Sequence, residues 1–249
     1  MSSVMNYGLT VGDTSLILAQ RLGQWIGHAP ALEEDLALAN IALDLLGQAR
    51  HLLTYAAQLE GAGRNEDDLA LLRDPQDFLN LSLVEQPNGD FAQTIVRQFL
   101  IDAWQLELFE RLQQSSEPKL AELAAKAIKE TRYHFRFSSG WVVRLGDGTE
   151  ESHRRAQAAL DALWRFTHEM FVASPAEQEA AARGIAPDPA SLAAGWSSRV
   201  AEVLKEATLH KPADVPYAWH GKRGQHSEHL SRLLAEMQVM QRTYPGAQW

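Results

Sequence analysis

There is no cysteine among the 249 residues. Disulfides, thiolate metal sites and cysteine nucleophiles are thereby excluded. No apolar run reaches the roughly 20 residues that a membrane span needs. The first residues lack the basic-then-apolar pattern of a leader peptide. A cytoplasmic protein without membrane contact is the expectation. Basic charge is also scarce: 23 Lys and Arg stand against 32 Asp and Glu, a formal net charge of −9. That balance argues against nucleic acid as the main partner. There is no phosphate-binding loop, dinucleotide fingerprint or nucleophile elbow. Alternation with period two is almost missing, so strand signals are weak. Internal repeats and low-complexity tracts are lacking too.

What the chain does have is helical periodicity. A first helix is predicted from an Asp13 cap to about Ile26, with Gly27 and Pro30 as stops. A second runs from about Ala31 to Glu60 and ends at Gly61; at 1.5 Å per residue it is about 45 Å long. A third follows the turn Pro87-Asn88-Gly89-Asp90, with Asp90 as N-cap, and ends near Ser115. A fourth runs from Pro118 to about Leu145, where Gly146 to Gly148 break it. The second and third are joined by a long segment, Gly61 to Asp90, with short helical turns expected at Asp68–Leu72 and Phe78–Leu83. One long crossover among four long helices is ferritin-like connectivity. Three further helices are expected at about Ser152–Val172, Asp188–Leu209 and His226–Tyr244. The fold class is therefore all-α: one ferritin-like domain over 1–249, with a core bundle at about 13–146 and C-terminal helices at about 152–244. Seven tryptophans favour an oligomer, since Trp is enriched at interfaces.

Helical phase then sorts the polar residues. Asp102 shares a face with Phe91, Ile95, Phe99, Leu106, Phe109 and Leu112, which makes it a buried carboxylate. Burial without a metal, a cation or hydrogen-bond donors costs several kcal/mol or neutralises the acid. Glu130 shares its face with Leu123, Ala127, Phe137 and Trp141. Lys126 lies four residues before it, within reach, and His134 four after. On the second helix Asp44 lies with Asn40, Gly47 and His51, while a wide arc of leucines fills the rest. That arc exceeds what a surface helix needs, so it meets either later helices or another subunit. In the first helix Gln20 is the best inward polar residue.

The ferritin-like di-iron bundles take a Glu-x-x-His pair from each of two helices and one Glu from each of two others. The same spacing here reads Asp44-x-x-Gly47 and Glu130-x-x-Tyr133. Gly47 has no ligating side chain, Gln20 cannot neutralise a cation, and Tyr133 substitutes poorly for imidazole. Three readings remain open on the residues. One is a residual polar centre of Gln20, Asp44, Gly47, Asp102, Lys126, Glu130, Tyr133 and His134, in which Lys126 offsets the acids and no metal binds. Another is an active di-iron or di-manganese oxygenase using Glu130, His134, Asp102, Asp44 and His51. The last is that Asp44 is solvated and that Asp102 and Glu130 make routine helix-to-helix salt bridges; a free-standing helical protein that binds a small molecule between its helices is the alternative function of a different class. A loop from His210 to Gln225 holds Tyr217 and Trp219. With Lys222, Arg223, His226 and His229 it is a possible interface; a lone His-x-x-His is weak as a metal motif.

Four segments carry a family resemblance: Gln20 to Arg50, Val84 to Ala92, Lys126 to Ser138 and His226 to Gln238. They resemble the C subunits of bacterial phenylacetyl-CoA epoxidases, multicomponent oxygenases of aerobic phenylacetate breakdown. The likeness extends over essentially the whole chain. It implies a ferritin-like, metal-free structural subunit in a hetero-oligomer, with no catalytic or metal-binding residue of its own. A homologous catalytic subunit would hold the di-iron centre and the substrate. A reductase with flavin and iron–sulfur centres would deliver electrons from NADPH.

Overall fold

The computed structural model describes residues 3–215 and 219–247. Apart from an isolated bridge between His220 and Gln225, every regular element among them is helical. The all-α class predicted from periodicity is thus the observed one. The chain order is also as expected: two long helices, a long crossover, two more long helices, then shorter ones. Contacts divide the chain into two compact units, residues 1–87 with 219–249, and residues 88–218.

The first unit is built on α1 (Ser3–Gly23) and α2 (Leu32–Glu60). They run antiparallel: Gly8 faces Leu52 and Ala56, and Gly12 faces Leu52 and Leu53. Acids Glu33, Glu34 and Asp35 open α2, where the helix dipole favours negative charge. Gly61 closes it at φ +66°, its N–H bonded to the Ala57 carbonyl. This left-handed cap is the glycine stop read from the sequence.

The predicted start of α1 at Asp13 is wrong by ten residues. Asp13 lies inside the helix with no exposed surface. Its carboxylate takes two hydrogen bonds from the Arg73 guanidinium, one of them 3.0 Å from Nη1 to Oδ2, and one from Leu79 N–H at 2.9 Å. Arg73 is itself buried, lies over the Phe78 ring and donates to the Asp77 carbonyl at 2.9 Å. Because α1 is buried almost all round, it presents no polar face from which its phase or start can be read.

The crossover contains α3 (Glu66–Leu71), a 3-10 turn (Pro75–Asp77) and α4 (Ser82–Glu85). It belongs to this first unit and is not slack. Asn65 and Asp68 close a capping box on α3. From the far end of the chain, Gln238 Nε2 donates to the Ala70 and Arg73 carbonyls at 3.1 and 3.0 Å. Arg242 Nη2 reaches the Arg73 carbonyl and Asp74 Oδ1 at 2.8 and 3.0 Å.

In the second unit α5 (Phe91–Leu112) and α6 (Pro118–Gly146) pair antiparallel. Phe91 meets Trp141 edge-on with centroids 5.1 Å apart, and Phe99 stacks on Phe135 at 5.9 Å. Asp90 caps α5 by accepting from Gln93 N–H at 2.9 Å. Then come α7 (Glu150–Trp164), a 3-10 turn (Thr167–Phe171), α8 (Pro175–Ala182) and α9 (Pro189–Glu206). Trp196 on α9 donates to the Leu100 carbonyl of α5 at 3.0 Å, and Arg199 bridges Glu107 and Glu110. The final helices, α10 (Glu228–Met237) and α11 (Val239–Thr243), return to the first unit.

Two C-terminal boundaries differ from expectation. The helix expected over Ser152–Val172 stops at Trp164, and the one expected over His226–Tyr244 breaks at Gln238, whose side chain is bonded into the crossover. Helix α8 was not foreseen, although Ser174-Pro175 followed by Glu177 spells a capping box with Pro at the first position.

The Asp13–Arg73 pair holds the crossover to the middle of α1. Removing one partner of a buried pair leaves the other charge uncompensated and costs about 3–5 kcal/mol. Asp13→Ala should lower unfolding stability in urea by about that much. A loss below about 1 kcal/mol would mean that the pair behaves as a surface one.

Candidate functional site

Asp102 occupies the middle of α5 and has no exposed surface. Gln98, one turn earlier, donates Nε2 to Oδ1 at 2.7 Å. Ser138 of α6 places Oγ 2.7 Å from Oδ2. Both partners are neutral. Burial raises the carboxyl group from its ordinary value to about 7, and the two hydrogen bonds only partly oppose that rise. A protonated Asp102 fits the geometry: its O–H donates to Ser138 Oγ, whose own hydrogen turns to the Phe135 carbonyl at 3.4 Å.

Lys126 is not the cation for this centre. It is exposed, and its Nζ bonds Glu122 Oε1 at 3.0 Å. The physical reason is the order along the helix: Glu placed four residues before Lys pairs better than Glu placed four after. Lys126 therefore turns back to Glu122 rather than on to Glu130. Tyr133 is also misplaced by the sequence reading. It is 38% exposed, and the Arg136 guanidinium lies 5.6 Å from its ring centroid. His51, the second histidine of the enzyme reading, is exposed on α2. His134 is fully buried on α6, while Gln20, Asp44 and Glu130 are half-buried. Gly47 is half-buried, and nothing lies within 4 Å of where a Cβ would stand.

The second polar cluster was not read from the sequence as a cluster. Glu85, at the end of α4, is fully buried. Its Oε1 accepts from Asn80 Nδ2 at 3.0 Å and lies 2.5 Å from His226 Nδ1. Its Oε2 accepts from Ser227 N–H and Oγ at 2.9 and 2.7 Å. The other imidazole nitrogen, Nε2, lies 2.8 Å from the Phe78 carbonyl. Both ring nitrogens thus face acceptors, which suits an imidazolium. Arg21 of α1 donates Nε to the Glu85 carbonyl at 3.1 Å. Glu85 ends a four-residue helix, which is too short to show a helical period.

This cluster corrects two of the expected interface residues. The His226 side chain is only 4% exposed and is spent inside the unit. Lys222 is buried as well. Its turn, Gly221–Arg223, lies so close to Asn80 and Ser82 that a Cβ on Gly221 would collide with backbone. Arg223 is exposed, Trp219 and His229 are half-buried, and Tyr217 lies outside the described residues.

Among the described residues, no three His, Cys, Asp or Glu side chains converge as a metal site requires. The donors present do not fit a di-iron centre, which draws on about four carboxylates and two histidines. No helix in the described residues is long and apolar enough to cross a membrane.

The family profile described as "Phenylacetic acid catabolic protein" matches residues 1–249. The chain belongs to the phenylacetic acid catabolic protein family. A curated relative, the C subunit of the 1,2-phenylacetyl-CoA epoxidase of Escherichia coli (strain K12), is 55% identical over 249 residues, 100% of both chains. The family resemblance read from four segments is thus shown over the full length. In this member of the phenylacetic acid catabolic protein family, burial raises the Asp102 carboxyl group to about 7.

That perturbation has a measurable consequence. The folded state keeps the Asp102 proton up to about pH 7, whereas an unfolded Asp releases it near the ordinary value of 3.8. Folding therefore loses stability from this group as pH rises from about 4 to 7, and the loss is constant above. Asp102→Asn removes the titrating proton but keeps a neutral, hydrogen-bonding side chain. At pH 4 the variant should match the parent. Above pH 7 it should be the more stable by a few kcal/mol, since one pKa unit is worth about 1.4 kcal/mol. Urea unfolding of both proteins across this range checks it; parallel pH profiles would show that Asp102 is ionised in the fold.

Proposed function

We propose that this chain is the non-catalytic, structural subunit of a phenylacetyl-CoA ring-epoxidising oxygenase in aerobic phenylacetate breakdown. In this reading it has a ferritin-like bundle and pairs with a homologous subunit that holds the di-iron centre and the acyl-CoA. A reductase subunit feeds electrons from NADPH through flavin and iron–sulfur centres. The name of the Escherichia coli relative, one subunit of an epoxidase, supports a place in such an assembly.

The observation that carries the reading is the state of Asp102. A carboxylate that held iron would direct its oxygens at the metal. Here both oxygens are engaged by Gln98 and Ser138, and burial drives the group towards its neutral form. The chain's contribution is then mechanical and thermodynamic. It offers a rigid helical surface, and its binding stabilises the folded partner by mass action.

The test is metal and turnover in the separated and the recombined proteins. This chain, purified alone from iron-supplemented cells, should carry close to no iron per polypeptide. It should co-elute with the homologous catalytic subunit, and ring oxidation should need that subunit. Two iron equivalents in the isolated chain, or turnover with the reductase alone, would sink the reading.

A further inference from the structure

Helix α2 keeps an apolar face in water. Leu32, Leu36, Leu43 and Leu46 are 69%, 56%, 65% and 47% exposed. With half-buried Ala39 between Leu36 and Leu43, their spacing alternates four, three, four, three, as in the a/d seam of a coiled coil. Single exposed leucines are ordinary on a protein surface. Four in register on one helix, over about 21 Å at 1.5 Å per residue, form a contiguous patch of the kind that marks an interface.

The seam ends at a socket. Beside Leu46 a cavity of about 350 Å³ opens between α1, α2 and α3. Its walls are Leu16, Ala49, Leu53 and Ala70. Its rim carries Arg50, Glu66 and Asp67. Arg50 Nε already lies 3.3 Å from Glu66 Oε1, which leaves the rim net negative. At the other end of the seam stand Glu33, Glu34 and Asp35. Both ends of the apolar line are therefore acidic.

Charge decides between the possible occupants. A second copy of this chain, itself at −9, would set acid against acid at one end or the other, whichever way its α2 lay. Like charges placed opposite one another penalise the wrong partner. We infer that this face receives an amphipathic helix from a different polypeptide. Its apolar seam lies along Leu32 to Leu46, one large apolar side chain fills the socket, and Lys or Arg flanks the anchor. The inference rests on the subunit reading above and names the surface through which the homologous catalytic subunit is held.

The test titrates the full-length chain against that catalytic subunit. Leu36→Glu with Leu43→Glu alters only exposed side chains and should weaken binding by about 30-fold or more, as loss of central anchors does. Ala49→Phe fills the socket and should weaken binding about tenfold or more. If Ala49→Phe does not fold, Leu46→Glu at the socket mouth serves instead. Asp67→Lys should slow association at low salt, with the effect fading at high salt. Circular dichroism should be unchanged throughout. Parent-like affinity in the leucine double variant overturns the docking surface while leaving the subunit reading intact. A chain that never binds the catalytic subunit overturns the subunit reading first. A stable homodimer of the parent, dissolved by the leucine changes, would make a second copy the occupant and likewise refute the inference.

Discussion

A carboxyl group taken out of water must find a cation, find donors or keep its proton. At Asp102 the outcome is two neutral partners, with burial pushing the carboxyl group up to about 7. Lys126, the cation that the sequence suggested, is committed to Glu122, and the two side chains that do reach the acid, Gln98 and Ser138, are neutral. Everything proposed about function leans on this choice. Under the proposed function the centre of α5 and α6 is a packing element, and the oxidation chemistry belongs to another polypeptide.

The first unit follows a related logic with a different solution. Its two buried acids, Asp13 and Glu85, do have cationic or imidazole partners. In both cases the partner comes from far along the chain: Arg73 from the crossover, His226 from the C-terminal segment. Such bonds add little net stability, because desolvation consumes most of the Coulombic gain. They do fix position, since either partner alone would be a buried unpaired charge. A crossover that would otherwise be a long irregular loop is held against α1 on one side and α10 on the other. The exposed leucines of α2 thereby sit on a firmly supported helix, which suits a surface meant for another protein.

Much of this was visible in the residues. Gly61 as a helix stop, Asp90 as a cap, Pro118 as a start and the long crossover all rest on local backbone chemistry, and local chemistry is what a sequence displays. The burial of Asp102 was legible because six apolar residues share its helical face. The missing histidines at Gly47 and Tyr133 were legible as spacing. Where the reading failed, the deciding contact was distant or the alternatives were symmetric. Asp13 looked like a cap because its true partner is 60 residues away. Lys126 had an acid four residues to either side, and only the better Glu-to-Lys order separated them. His226, Lys222 and Tyr133 were assigned the wrong exposure because short or two-sided helices do not reveal which face is covered.

Residue type and short-range spacing were enough for the helical class, the order of the long helices, several of their caps and stops, and the family. Those features act within a few turns of one helix, so a linear chain records them. Three outcomes needed the folded molecule: that Asp102 is served by neutral partners, that Glu85 and His226 join across 141 residues, and that one face of α2 stays open to water. Each depends on which segments meet in space. Burial and pairing energies are set by neighbours brought together in the fold, and spacing along the chain does not encode them.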